Sequence, residues 1–382
     1  MNQKKLYYTD AYLKEFEAEI ISCEPDKDRF AVRLSQTAFY PEGGGQPFDT
    51  GLIGDANVLE VQEKNGEIVH FTDVPLAPSD ICRCAIDWER RYDHMQRHTA
   101  EHVVSGLIHG LYGADNVGFN IGVDYVTMDY NVFLTETDIQ KIEYLSNEAV
   151  FRNIPVRADF YDCAPDIDYR SKKELNGEIR IVTVEDYDAC ACCGTQTRTT
   201  GELGLIKIIQ AQKYKSGCRL YMLCGYKALA DYSAKQKNAD EISALLSAKT
   251  NEIAEAVKTL ANERDRLKHQ LIESKIRLLE LIAAGQPDFE VICVFEDNLL
   301  PDELKRLAIM LAEKSDKNLI SAVFSEDEAG GYKYAVFCKK GDIKEFAVKL
   351  NTALCGRGGG KEILMGSVKK EKPEIQAFFE TL

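Results

Sequence analysis

The chain has 382 residues, a formal net charge of −15, 45% hydrophobic residues and twelve cysteines. That length holds two or three domains with cores of their own, and the composition is that of an ordinary globular protein with no apolar run long enough to cross a bilayer. The acidic balance argues against binding nucleic acid over the whole surface but leaves room for local basic faces, with Lys213, Lys215 and Arg219, or Arg357, Lys361, Lys369 and Lys370, as candidates.

Residues 1–90 read as β-rich. The runs 30–34, 58–61 and 68–71 alternate or are β-branched, with turn residues between them, and a small β-barrel is expected. Within this part lies Thr37-Ala38-Phe39-Tyr40-Pro41-Glu42-Gly43-Gly44-Gly45-Gln46-Pro47. Three successive glycines allow a close backbone approach or positive φ, and no P-loop lysine follows, so the segment by itself reads as a turn rather than a nucleotide-phosphate loop. Residues 91–227 mix helical stretches (92–112 and 136–152) with strand-like ones (126–129, 179–184 and 205–208), predicting an α+β layer. Residues 228–286 contain no proline and are dominated by Ala, Glu, Lys and Leu. An apolar stripe through Leu245, Ile253, Val257, Leu260, Leu267, Leu271, Ile276 and Leu279 predicts one long helix or a helical hairpin, paired with itself or with a second copy as a coiled coil. Residues 287–382 alternate strands with helices as a small α/β unit. The whole is expected to be an α+β protein.

His98 and His102, four apart, project from one helix face and can grip one metal ion. Such a pair is a weak signal by itself, since helix histidines are often surface or capping residues. The distant Cys190-Ala191-Cys192-Cys193-Gly194-Thr195-Gln196 strengthens it, because catalytic zinc sites commonly join a helix pair to one remote ligand, and mixed His and Cys ligation suits zinc. Cys190 and Cys193 read equally well as small packed thiols, and His94 reads as a residue of the helix surface. The N-terminus lacks a signal peptide's apolar stretch, and the cysteines show no disulfide framework. A reduced, cytoplasmic protein is expected.

The glycine-rich segment, the spaced histidines and the Cys-Cys-Gly-Thr turn together resemble the editing domains of alanyl-tRNA synthetases and their free-standing relatives, the AlaX proteins. Gly118-Phe119-Asn120-Ile121-Gly122 and Thr200-Gly201-Glu202-Leu203-Gly204 follow the same pattern, and Cys355-Gly356-Arg357-Gly358-Gly359-Gly360-Lys361 resembles the signature of the DHHA1 domain. The resemblance covers nearly the whole chain. It implies a β-barrel (1–90), an α+β editing, or second additional, domain (91–227), a helical spacer (228–286) and a DHHA1-like domain (287–382).

The resemblance further implies zinc held by His98, His102 and Cys192. The family's fourth ligand, a histidine, falls on Gln196, which leaves three outcomes. Water takes the fourth place, Cys190 replaces the lost ligand, or the site holds no metal. In the family the position of Thr37 is associated with the seryl hydroxyl. Gln46 then orients a water or the substrate carbonyl, or only ties the turn. Gly43, Gly44 and Gly45 lie over the site, and Arg357 and Lys361 contact phosphates. The implied activity is hydrolysis of mischarged tRNA(Ala), chiefly carrying serine and secondarily glycine, by a chain that charges no tRNA and dimerises through its spacer. The rival is a non-catalytic tRNA-binding protein with a degenerate editing site. A generic small-molecule zinc hydrolase fits the additional domains less well.

Overall fold

A computed structural model describes residues 3–171, 177–327 and 330–382. The chain divides into two compact units, Met1–Glu241 and Ile242–Leu382, and it is a mixed α+β structure with several sheets. Among the described residues no helix is long and apolar enough to cross a membrane.

The first unit begins with a closed barrel. Its strands run in the order Glu15–Asp26, Arg29–Leu34, Glu67–Thr72, Ala56–Lys64, Gly51–Ile53 and Ile81–Ile86. Side chains alternate across each strand, so Phe16, Ala18 and Ile20 point inward while Glu15, Glu17 and Glu19 face solvent. Asn65 (φ 52°) and Gly66 (φ 86°) close one hairpin with the doubly positive φ that a tight two-residue turn requires.

The histidine helix, Trp88–Tyr112, follows directly. Asp87 caps it by accepting from the Arg90 amide, and Gly113 ends it in the left-handed region. Its middle is buried on nearly every side, from Met95 through Ser105. Two sheets enclose it. One has four antiparallel strands in the order Ile206–Tyr214, Gly217–Cys224, Val126–Tyr130 and Asn116–Ile121, and the other has Val156–Tyr161, Ile179–Val184 and Asp188–Ala191. A Cβ on Gly106 would lie 2.2 Å from the Tyr187 carbonyl oxygen. The missing side chain is what lets the helix lie against the turn leading into Asp188–Ala191.

The stretch read from sequence as one helix or a hairpin consists of two helices, Gly225–Leu246 and Ile253–Gly285. The helical path stops at Ser247, which has φ 51°, a conformation no α-helix continues through. Val257, Leu260, Leu267 and Leu271 are 49–58% exposed, whereas Leu279 and Ala283 are buried.

In the second unit a sheet runs Val291–Phe295, Ile320–Glu326, Tyr332–Cys338, Ile363–Val368 and Arg357–Gly359. Its first pair is parallel and the rest antiparallel. Ile292 and Val294 face a core with Leu304 and Leu307, while Val291, Cys293 and Phe295 face another with Phe324 and Phe346. Arg357 lies in the short last strand and Lys361 just beyond it, both exposed.

Candidate metal centre

His98 and His102 lie on successive turns of the histidine helix, their rings stacked at 5.4 Å. Cys192 follows the strand Asp188–Ala191, and its Sγ lies 3.3 Å from His98 Nε2. The ligand atoms of all three lie within 4.8 Å of one another. Gly194 makes this approach possible, because a Cβ there would stand 2.1 Å from His98 Cε1.

Each imidazole is oriented by its other nitrogen. His98 Nδ1 lies 2.8 Å from Gln46 Oε1, and His102 Nδ1 lies 2.8 Å from Asp188 Oδ2. An amide oxygen and a carboxylate can only accept, so each Nδ1 carries a proton and the Nε2 atoms are the ones left to ligate a metal. Arg170 grips Asp188 at both oxygens, 2.7 and 2.8 Å. Arg170 is itself fixed by backbone hydrogen bonds to Ala189 and Ala191. His102 Nε2 is buried without a hydrogen-bond partner among the described residues. A buried polar atom rarely stays unpaired unless something else engages it. The donor set of two imidazole nitrogens and one sulfur, with a carboxylate behind one imidazole, fits a divalent transition metal, zinc above all.

The electrostatics agree. Burial opposes a charged Cys192, yet His98 and His102 hold its thiol well below the usual range. Burial also opposes a charged His102, but Cys192 and Asp188 hold it well above the ordinary imidazole value. The pocket stabilises a thiolate between two imidazoles, the protonation that metal binding needs once the shared proton leaves. Burial pushes the Cys190 thiol up to about 11. Cys190 groups with His102 and Asp188 rather than with His98 and Cys192.

Gln196 is buried beside the cluster. The Thr99 hydroxyl accepts from the Thr197 amide at 3.0 Å and so donates to Gln196 Oε1 at 2.7 Å. That fixes which way the amide points, and its Nε2 faces Cys192 Sγ at 3.7 Å. Gln196 therefore turns its nitrogen, not its oxygen, toward the sulfur.

The structure brings Gln46, His98, His102, Cys192 and Gln196 together. Gln46 is wholly buried. Its oxygen accepts from His98 and from the Thr195 amide, and its nitrogen donates to Thr195 Oγ1 at 2.8 Å. Gly44 lines the adjoining cavity of about 360 Å³, with Glu101, Phe119, Arg170, Arg180 and Cys193 among the other walls. Gly43 and Gln46 close the tight turn, and Gly45, at φ 82°, abuts Phe119 so closely that a Cβ would stand 2.5 Å from its ring. Thr37 is buried next to His70 and is not among the described lining residues. The His70 Nδ1 hydrogen faces the Val32 carbonyl, so Thr37 donates to His70 Nε2 at 2.8 Å while accepting from the Phe39 amide. Arg357 and Lys361 belong to the second unit.

His94 lies in the helix interior, 3% exposed, not on its surface. Burial, then Arg90 and Arg97, push its pKa down to about 3. Sequence reading passed over Asp188, Arg170 and Thr99. One signal was present, because Asp188 and Cys190 are spaced by two and share a face of the strand that leads to Cys192.

Residues 179–221 match the family model described as the threonyl and alanyl tRNA synthetase second additional domain, and residues 5–90 match that of class II (A) tRNA synthetases. The alanyl-tRNA editing protein AlaX-L of Pyrococcus horikoshii is 31% identical, over 97% of this chain and 96% of its own length. The alanyl-tRNA editing protein Aarsd1-A of Xenopus laevis is 32% identical over 66% of each chain. An alanine–tRNA ligase of Pyrobaculum calidifontis is 31% identical over 98% of this chain but only 44% of its own. By its length-wide match to AlaX-L and the editing-domain model over the cysteine turn, this chain belongs to the alanyl-tRNA editing protein family.

Proposed function

We propose that this protein hydrolyses the ester joining a wrong amino acid, chiefly serine and secondarily glycine, to tRNA(Ala), at a zinc site held by His98, His102 and Cys192. The observation that carries this reading is the convergence of His98 Nε2, His102 Nε2 and the Cys192 sulfur within 4.8 Å of one another, with His102 Nε2 buried and without a hydrogen-bond partner among the described residues. Three protein ligands leave a position open, as catalytic zinc sites do. Bound there, zinc supplies a Lewis acid for the ester carbonyl or for a water.

The chain's own residues hold this geometry. Gln46 fixes the ring of His98, and Asp188 with Arg170 fixes that of His102. Gln196 hydrogen-bonds the sulfur. We therefore read Gln46 and Gln196 as positioning residues. Gly44 leaves backbone open to the cavity. Recognition of the seryl hydroxyl by Thr37 stays part of the proposal, and it requires Thr37 to exchange one of its two present bonds for the substrate. A site that hydrogen-bonds the hydroxyl by which serine exceeds alanine rejects alanine strongly.

Phosphate contacts by Arg357 and Lys361, the four-part domain division, dimerisation through 228–286 and a cytoplasmic location belong to the same proposal. The rival, tRNA binding without catalysis, rests on Gln196 standing where the family has histidine. His98→Ala and His102→Ala test the metal role. Each is expected to lose both zinc and deacylation of Ser-tRNA(Ala), and full activity without metal would refute it.

A further inference from the structure

Among the described residues, the buried or nearly buried arginines of the first unit show one exception. Arg91 pairs with Asp49, Arg97 with Asp93 and Arg170 with Asp188. Arg180 is 8% exposed, yet its side chain meets no carboxylate among the described residues. Its Nη1 donates to the carbonyls of Cys192 and Gly194, at 2.7 and 2.9 Å, while its Nε is buried without a partner. A buried charge without an opposite charge is costly unless a ligand supplies one.

Arg180 also lines the metal cavity. Its guanidinium lies 5.3 Å from the ring of Tyr8 and 6.0 Å from that of Phe160. Those rings meet edge to face at 5.5 Å. Phe160 stands opposite Arg180 on the neighbouring antiparallel strand, and it is 45% exposed on the edge strand of its sheet. A cation and a solvent-facing aromatic ring beside an ester-sized cavity match the chemistry of an RNA 3′ end. Unpaired bases stack on aromatic rings and guanidinium planes, and phosphates pair with arginine.

We propose that Arg180, Tyr8 and Phe160 form the subsite for the 3′-terminal adenosine of the acylated RNA. The base stacks on Phe160, and the guanidinium meets the terminal phosphodiester. The proposal rests on the editing reading, since the acyl group must enter the cavity while its ribose and base remain at these residues.

The test uses full-length, zinc-loaded protein and two non-hydrolysable probes: adenosine carrying serine through a 3′-amide, and serinamide without the nucleoside. Binding is measured calorimetrically for the wild type, Phe160→Ala and Phe160→Trp, with zinc content determined for each. The wild type is expected to bind the nucleoside probe more tightly than serinamide. Phe160→Ala should weaken that binding roughly five- to a hundredfold and Phe160→Trp restore it, with zinc retained in all three. Equal affinity of Phe160→Ala and the wild type, or no preference of the wild type for the nucleoside probe, overturns the subsite. Deacylation of Ser-tRNA(Ala) by the wild type is read separately. A base-dependent affinity in a protein that deacylates nothing would keep the subsite and remove the hydrolytic reading.

Discussion

Gln196 stands at the position where the family has histidine, and its surroundings show how the protein uses it. The Thr99 hydroxyl takes the amide oxygen, which turns the nitrogen toward the Cys192 sulfur. Asp188 plays the matching part for His102, with Arg170 behind it. A carboxylate behind a metal-bound imidazole fixes the tautomer and makes the ligand more basic. Asp188→Asn keeps the shape but weakens that support, and it leaves the buried Arg170 without its counter-charge. It is expected to lower zinc affinity about 10–100-fold, measured by competition with a chromophoric chelator. Unchanged affinity would show that Asp188 serves Arg170 alone. Of this cluster, the two histidines were legible as a pair from their spacing, and the resemblance to the editing family pointed to Cys192. Arg170 and Thr99 were not. Arg170 reaches the site only because an isolated bridge sets it beside Cys190, and one threonine among many carries no sign of its partner.

Among the elements, the histidine helix and the cysteine turn approach as closely as they do because of what is missing from them. Gly106 admits the Tyr187 carbonyl, and Gly194 admits the ring of His98. Gly194→Ala places a methyl group where His98 Cε1 stands, so ring and turn must separate. Zinc content is expected to fall well short of one per chain by atomic absorption, while the far-ultraviolet circular dichroism of the barrel and sheets persists. A variant with full zinc would show that the turn can yield without cost to the site. The elements themselves were largely readable. The alternation at 30–34, 58–61 and 68–71 lies in strands, and the runs at 136–152 and 301–314 are helices over those same residues. The histidine helix misled at His94 because it is enclosed on nearly all sides and so has no polar face for a pattern to mark. The helical stretch beyond residue 228 was legible as one helix or a hairpin, without the choice between them. Ser247 breaks it through a backbone angle, and nothing in its composition announces the break.

At the scale of the molecule, the residues of the candidate metal centre lie wholly within the first unit, while the second unit carries Arg357 and Lys361 on its surface. The helix Ile253–Gly285 leaves Val257, Leu260, Leu267 and Leu271 about half exposed, an apolar stripe of the kind that helices cover by pairing. A dimer through this stripe is expected by light scattering at micromolar concentration, and Leu267→Glu with Leu271→Glu should convert it to a monomer that keeps its zinc. A monomeric wild type would refute the pairing.

The central claim is that three protein ligands and an open position make an active editing site despite Gln196. Zinc-replete protein is incubated with Ser-tRNA(Ala) and, in parallel, with Ala-tRNA(Ala), and the loss of each acyl group is followed. Rapid release of serine with alanine spared, at about one zinc per chain, is the expected result. Loss of neither amino acid from a fully metallated protein would contradict it and favour a chain that binds tRNA without editing it.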